Sequence, residues 1–230
     1  MATPPLHPLA SLVVAVCFTL IGAVAHAEDH ADLLANPSDW RLEPAESWRW
    51  SQADGDATRN VLTLHRPGPP KTQPVRRIAS IALYEPAVWS QATLDLEVRS
   101  LEPAARKGAD VCIVLGYRDD THYIYIHLSN DADGRTHNVI MQVDGDTRRV
   151  IHTPAHPEPR LGEGWQRVRV VFDDAGRIAV YMDDLEAPLM TAETGRPLTG
   201  RIGVGSFNDR AAFAGFTVTG ERVDTQPKTR

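Results

Sequence analysis

Cysteine is almost missing from this chain, with only Cys17 and Cys112 among 230 residues. Cys17 lies in an N-terminal segment that reads as removable. Cys112 then stands alone, and no internal disulfide can form even in an oxidising compartment. A surplus of positive charge is missing too. The 24 Lys and Arg against 30 Asp and Glu leave a formal charge of −6, which argues against nucleic acid as a partner. The pairs Arg76-Arg77 and Arg148-Arg149 are too short to reverse this and read as solvated strand edges. No repeat of fixed period runs through the chain, which sets aside propellers and solenoids.

The apolar run 12–24 is shorter than the roughly 20 residues that span a bilayer, and charged Glu28-Asp29 follows it closely. Ala25-His26-Ala27 after that run is a small-x-small cleavage site, so residues 1–27 read as a signal peptide, although no Lys or Arg precedes Leu12. The run before Cys17 is Val14-Ala15-Val16, which makes a lipoprotein the weaker reading. The expectation is an exported chain, periplasmic or extracellular, with no transmembrane anchor. Residues 28–220 should form one domain, and 221–230 a polar tail.

Most of the remaining sequence alternates with period two between turn residues, the pattern of strands. Expected strands cover 47–52, 61–65, 75–83 and 92–98, with the Pro-rich stretch 66–74 outside the sheets because proline cannot donate to a ladder. In 122–129, Ile124, Ile126 and Leu128 share one face, which should be core, and Tyr123, Tyr125 and His127 share the other. On the next strand Val139, Met141 and Val143 read as inward, and Asn138, Ile140 and Gln142 as outward. Hairpins follow at Asp144-Gly145 and Asp174-Ala175-Gly176. The fold class is all-β: a two-sheet antiparallel sandwich of jelly-roll type.

Four stretches, in this order and spacing, carry a family resemblance: 92–98, the paired strands 111–129 with their turn Tyr117-Arg118-Asp119-Asp120, 164–170 and 200–207. They resemble the concanavalin A-like lectin/glucanase superfamily, especially the laminin-G-like jelly rolls that include the 3-keto-disaccharide hydrolase domain. The resemblance implies a concave sheet face that holds carbohydrate and in some relatives hydrolyses it. The Glu-x-Asp-x-x-Glu strand of the glucanases is not here. Asp95 and Glu97 share a face, but the third carboxylate is missing.

The candidate ligand face is the row Tyr123, Tyr125 and His127, with Asn138 and Gln142 beside it and Arg118 on the rim. Aromatic faces stack on sugar C–H surfaces while amide and imidazole groups satisfy hydroxyls. Cross-strand packing beneath a loop would select the same tyrosines. For hydrolysis, His127 with Asp119 or Asp209 would supply an acid–base pair. A non-catalytic module binding another exported protein through loops or sheet edges is the other reading. No cofactor is expected. Residues 131–134 resemble part of a calcium loop, but Ile140 stands where an EF-hand needs Glu, so only a structural calcium built from separate loops stays open. His152 and His156 have ligand spacing, but Pro154 and Pro157 forbid the helix it needs, so no metal site is expected.

Overall fold

A computed structural model describes residues 31–131, 135–153 and 160–223. The expected signal segment, most of the 131–134 turn, His156 with its neighbouring prolines, and residues 224–230 lie outside them. A short 3-10 turn, Leu33–Ala35, precedes β1 (Trp40–Glu43), β2 (Trp48–Ala53), β3 (Asp56–Leu64), β4 (Ser80–Tyr84) and β5 (Val88–Ser100). β6 (Asp110–Asp119), β7 (His122–Ser129), β8 (Val139–Asp144) and β9 (Thr147–Val150) then run as a meander, followed by β10 (His152–Thr153). β11 (Gln166–Phe172), β12 (Arg177–Met182), β13 (Met190–Glu193), β14 (Arg201–Ser206) and β15 (Ala211–Val223) complete the described chain. β15 thus continues to Val223, beyond the expected domain limit at 220.

The strands form two antiparallel sheets. A seven-stranded sheet has the order β1-β4-β14-β6-β7-β8-β9, and an eight-stranded sheet the order β10-β13-β12-β11-β5-β15-β3-β2. Neighbours such as β14 and β6, far apart in sequence, are the crossovers of a jelly roll. Between the sheets lies the main core. The seven-stranded sheet contributes Val111, Ile113, Ile124, Ile126, Leu128 and Ile140, and the eight-stranded sheet contributes Leu94, Leu96, Val168, Val170, Phe172 and Phe213. The expected inward set of β7 is therefore in place. The centre of the seven-stranded sheet packs tightly: a Cβ on Gly203 would lie 2.2 Å from the carbonyl oxygen of Ala82 on β4.

The seven-stranded sheet is buried on its outer face as well. There Cys112, Val114, Tyr117, Tyr123, Tyr125, Val139, Met141, Val143 and Phe207 form a second apolar cluster. Residues 66–79 return over this face instead of extending as a strand from 75, and Val75 and Ile78 pack onto it. The inward and outward assignment of β8 is consequently reversed. Antiparallel register sets Tyr123 opposite Val143, Tyr125 opposite Met141 and His127 opposite Val139, so these three β8 residues share the tyrosine face. Ile140 and Gln142 point towards the sandwich. With apolar residues needed on both faces, alternation on β8 had no solvent side to identify.

Candidate functional site

The Tyr123, Tyr125 and His127 row exists as a row, but most of it is sealed. Tyr125 is fully buried and Tyr123 is 5% exposed. The Ile78 backbone N–H donates to the Tyr123 hydroxyl (3.4 Å), and Arg148 Nε donates to the Tyr125 hydroxyl (2.6 Å). Burial raises both phenols above their ordinary range, so they remain neutral hydrogen-bonding groups. Tyr117, Tyr123 and Tyr125 stack on one another at 5.7 and 6.0 Å between centroids. They offer no ring face for a sugar to cover.

The row opens only at its His127 end. Here β6 begins with Asp110, β14 ends at Ser206, and the loop onward carries Phe207, Asn208 and Asp209. The Asp110 carboxylate, 3% exposed, accepts from Ser206 Oγ (2.5 Å) and from the Phe207 N–H (3.1 Å), both through Oδ1. Its Oδ2 lies 3.2 Å from His127 Nε2. Burial pushes the Asp110 carboxyl up, but His127, Ser206 and the Phe207 N–H outweigh it and hold the group below its ordinary value. His127 Nδ1 faces the Thr136 carbonyl, which can only accept, so Nδ1 must donate. The approach of Nε2 to Asp110 is off the line of an N–H bond, leaving that buried nitrogen without a well-formed hydrogen bond.

Asp209 stands behind this pair, fully buried. Its backbone N–H donates to Ser206 Oγ (2.9 Å), Arg106 Nε donates to its Oδ1, and its Oδ2 has no hydrogen-bond partner. Burial raises the Asp209 carboxyl; Arg106 lowers it and the nearby Asp110 charge raises it further, so the net shift is upward. The two neighbouring carboxyls are thus pushed in opposite directions. In front of them lies an open hollow of about 360 Å³, walled by Arg76, Arg106, Lys107, His127, His137, Arg148 and Phe207 among others.

The remaining expected site residues are dispersed. Asn138 adopts a left-handed backbone (φ 54°) and staples the β7–β8 loop, accepting from the Ser129 N–H (2.9 Å) and donating to the Asp131 carbonyl (2.8 Å). Gln142 accepts from Arg149 (2.7 Å) and lines a separate cavity of about 140 Å³ together with Arg118 and Arg196. Asp119 is at the β6–β7 turn, the opposite end of β7 from His127. It faces His122 Nδ1 at 2.9 Å; the small burial raises its carboxyl, but His122 and Thr121 override this and hold it at about 2. His127 and Asp209 are brought into one cluster; Asp119 and His127 are not.

Sequence reading missed Asp110, Arg106, Arg148 and Phe207 as members of this site. Arg148 was legible in principle. It is opposite Val143 and so shares the tyrosine face, whereas Arg149 is opposite Gln142. Asp110, Cys112 and His127 also bring three ligand-type atoms within 4.8 Å of one another, a set that could hold a metal ion. Burial raises the Cys112 thiol well above its ordinary value, and the Asp110 carboxylate is already occupied by Ser206 and Phe207. The surrounding arginines and lysine further disfavour a cation. The donor set is therefore a poor fit for a metal ion.

No protein-family model matches the chain, and no curated protein matches it significantly by sequence. Solved structures do match in fold. The carbohydrate-binding module CBM66 from Bacillus subtilis is similar over 78% of this chain and 94% of its own, with TM-score 0.55 and 12% identity. The cellulose-induced protein Cip1 is similar over 83% of this chain and 95% of its own, with TM-score 0.52 and 10% identity. A xylan β-1,4-xylosidase from Bacillus halodurans C-125 matches 95% of this chain but only 41% of its own length, with TM-score 0.53 and 13% identity. Together with the two-sheet topology, these likenesses show a jelly-roll β-sandwich. They show the fold alone.

Proposed function

We propose that this chain is an exported, carbohydrate-associated jelly-roll domain whose ligand enters the hollow beside His127. The observation that carries the reading is the open polar end of an otherwise sealed apolar face. Convergent polar groups at a concavity are what a binding site needs, and the buried Asp110, Ser206 and Asp209 hold them on strand ends that cannot drift. Carbohydrate as the ligand class is supported by the fold shared with CBM66 and Cip1. Export rests on the apolar run and Ala25-His26-Ala27. Docking on another protein through an apolar surface has less support, since Val150 and Val223 are the only large hydrophobic residues exposed among those described.

A hydrolytic reading is favoured by one specific feature: Asp110 and Asp209 are pushed apart in acidity beside His127, an arrangement suited to acid–base work. Asp209 is closed off by Arg106, so binding remains the primary reading. Calorimetric titration of the full chain against a polysaccharide panel tests it. Binding should occur and weaken about tenfold or more in His127→Gln, the scale of one lost hydrogen bond in a buried site. Tyr123→Phe should bind like the parent. Equal loss in both variants, or no binding to any polysaccharide, would overturn the placement. Turnover of ordinary or 3-keto disaccharides that disappears in His127→Gln would establish the hydrolytic reading instead.

A further inference from the structure

The chain carries an overall charge of −6, yet four cationic side chains, Arg76, Arg106, Lys107 and Arg148, converge on the hollow beside His127. At the other surface hollows cations are fewer or paired: Arg41 and Arg201 pair with Glu85 and Arg196 with Asp144, while Arg118 and Arg99 form no ion pair among the described residues. At this hollow only Arg106 has a carboxylate, that of Asp209. Arg76, Lys107 and Arg148 form no ion pair among the described residues. The acids on the wall are Asp110, occupied by Ser206, the Phe207 N–H and His127, and Asp131.

The cations are also positioned. The Arg148 guanidinium lies 5.3 Å from the Phe207 ring centroid and the Arg76 guanidinium 5.4 Å from the same centroid, so one buried ring anchors both. Arg148 is further fixed through Nε by the Tyr125 hydroxyl, which leaves its two Nη groups free of side-chain partners among the described residues. That is the fork a carboxylate or sulfate accepts from in bidentate fashion. Gathering unpaired cations around one hollow costs free energy unless an anion relieves it. At the back of the hollow His127, 4% exposed, keeps a buried Nε2 without a well-formed hydrogen bond.

Resting on the carbohydrate reading above, we propose that the sugar bound here is acidic: a uronate or sulfate group seats between Arg76, Lys107 and Arg148. The charged group supplies orientation, and the ring behind it faces His127 and Phe207. Neutral sugars of the same backbone lack the anchor.

The test is calorimetric titration of the full chain with polygalacturonate, alginate and chondroitin sulfate, each beside a neutral counterpart made by methyl-esterification or desulfation with carboxyl reduction. Poly-L-glutamate serves as a sugar-free polyanion. Arg76 and Lys107 are exposed, so Arg76→Gln with Lys107→Gln removes charge without disturbing the core. At least one acidic glycan should bind about tenfold or more tightly than its neutral counterpart. The double variant should lose that preference, and Arg169→Gln on the other sheet should keep it. If a neutral polymer binds as well as its acidic form and the double variant is unaffected, the acidic-sugar inference fails while the carbohydrate reading stands. If poly-L-glutamate binds as tightly as the glycans, recognition is of charge alone and the inference also fails. If no polysaccharide binds, acidic or neutral, the carbohydrate reading itself is lost.

Discussion

Replacing Asp110 by Asn should destabilise the protein by an amount that depends on pH in a defined direction. The side chain is 3% exposed, and the amide can still accept from Ser206 Oγ and the Phe207 N–H. What it loses is the negative charge 3.2 Å from His127 Nε2 and the charge assistance in both hydrogen bonds. Removing one member of a buried pair costs about 3–5 kcal/mol, and the retained acceptor makes about 2–4 kcal/mol the reasonable range here. For a domain of this size that corresponds to a fall in Tm of about 5–15 °C. Asp110 is held below its ordinary value in the folded protein, so its stabilisation is fully present above the unfolded carboxyl value of about 3.9 and is lost as pH falls through the folded value. The Tm gap between parent and Asp110→Asn should therefore be widest above about pH 5 and shrink below about pH 4. Asp209, raised on folding, acts with the opposite sign, so Asp209→Asn should cost less than Asp110→Asn at pH 7. Thermal unfolding followed by circular dichroism from pH 7 to 2.5 reads both. An unchanged Tm at pH 7, or a gap that is constant across the range, would refute the buried, ionised Asp110 as described.

Two further outcomes follow from packing. Gly203→Ala should lower stability by about 2 kcal/mol or more, because its Cβ would meet the Ala82 backbone at 2.2 Å and neither strand can shift alone; a Tm within a degree of the parent would contradict the observed sheet spacing. In a Cys17→Ser background, Cys112 should resist an aromatic disulfide reagent at pH 8 in the folded state and react stoichiometrically in denaturant, since burial raises its thiol and closes access; rapid native-state labelling would show that the outer face opens.

How far the sequence reaches differs between the layers. The inward sets on β5, β7 and β11 follow local alternation, and the main core contains them: Leu94, Leu96, Val98, Ile124, Ile126, Leu128, Val168, Val170 and Phe172. β8 misleads because its neighbours require apolar groups on both sides, and period two then distinguishes nothing. The tyrosine row is legible as a row but not as a buried one. Its cover comes from Val75 and Ile78, in a segment whose prolines announce a loop without saying where it lies, and from Phe207 and Arg148. Asp110 escapes notice because Val111 to Leu115 behind it reads as a plain apolar strand. Its partners Ser206 and Phe207 are almost a hundred positions away, at |i−j| of 96 and 97, and only the β14–β6 crossover joins them. His127 and Asp209 were recognisable as titratable candidates, whereas the partner that unites them was not.

The burial of β7 on both sides has a consequence for how the strand finds its place. In a sheet wet on one side, a one-residue slip turns apolar groups to water and is rejected at once. For β7 a slip would exchange one apolar surface for another, tyrosine for isoleucine, and hydrophobicity alone would penalise it weakly. Discrimination then passes to the few polar tips: the Tyr123 hydroxyl meeting Ile78 N–H, the Tyr125 hydroxyl meeting Arg148, and His127 Nδ1 meeting the Thr136 carbonyl. These contacts work as alignment pins. Each is satisfied in one register only, so the groups nearest the hollow also keep the strand beneath it in step.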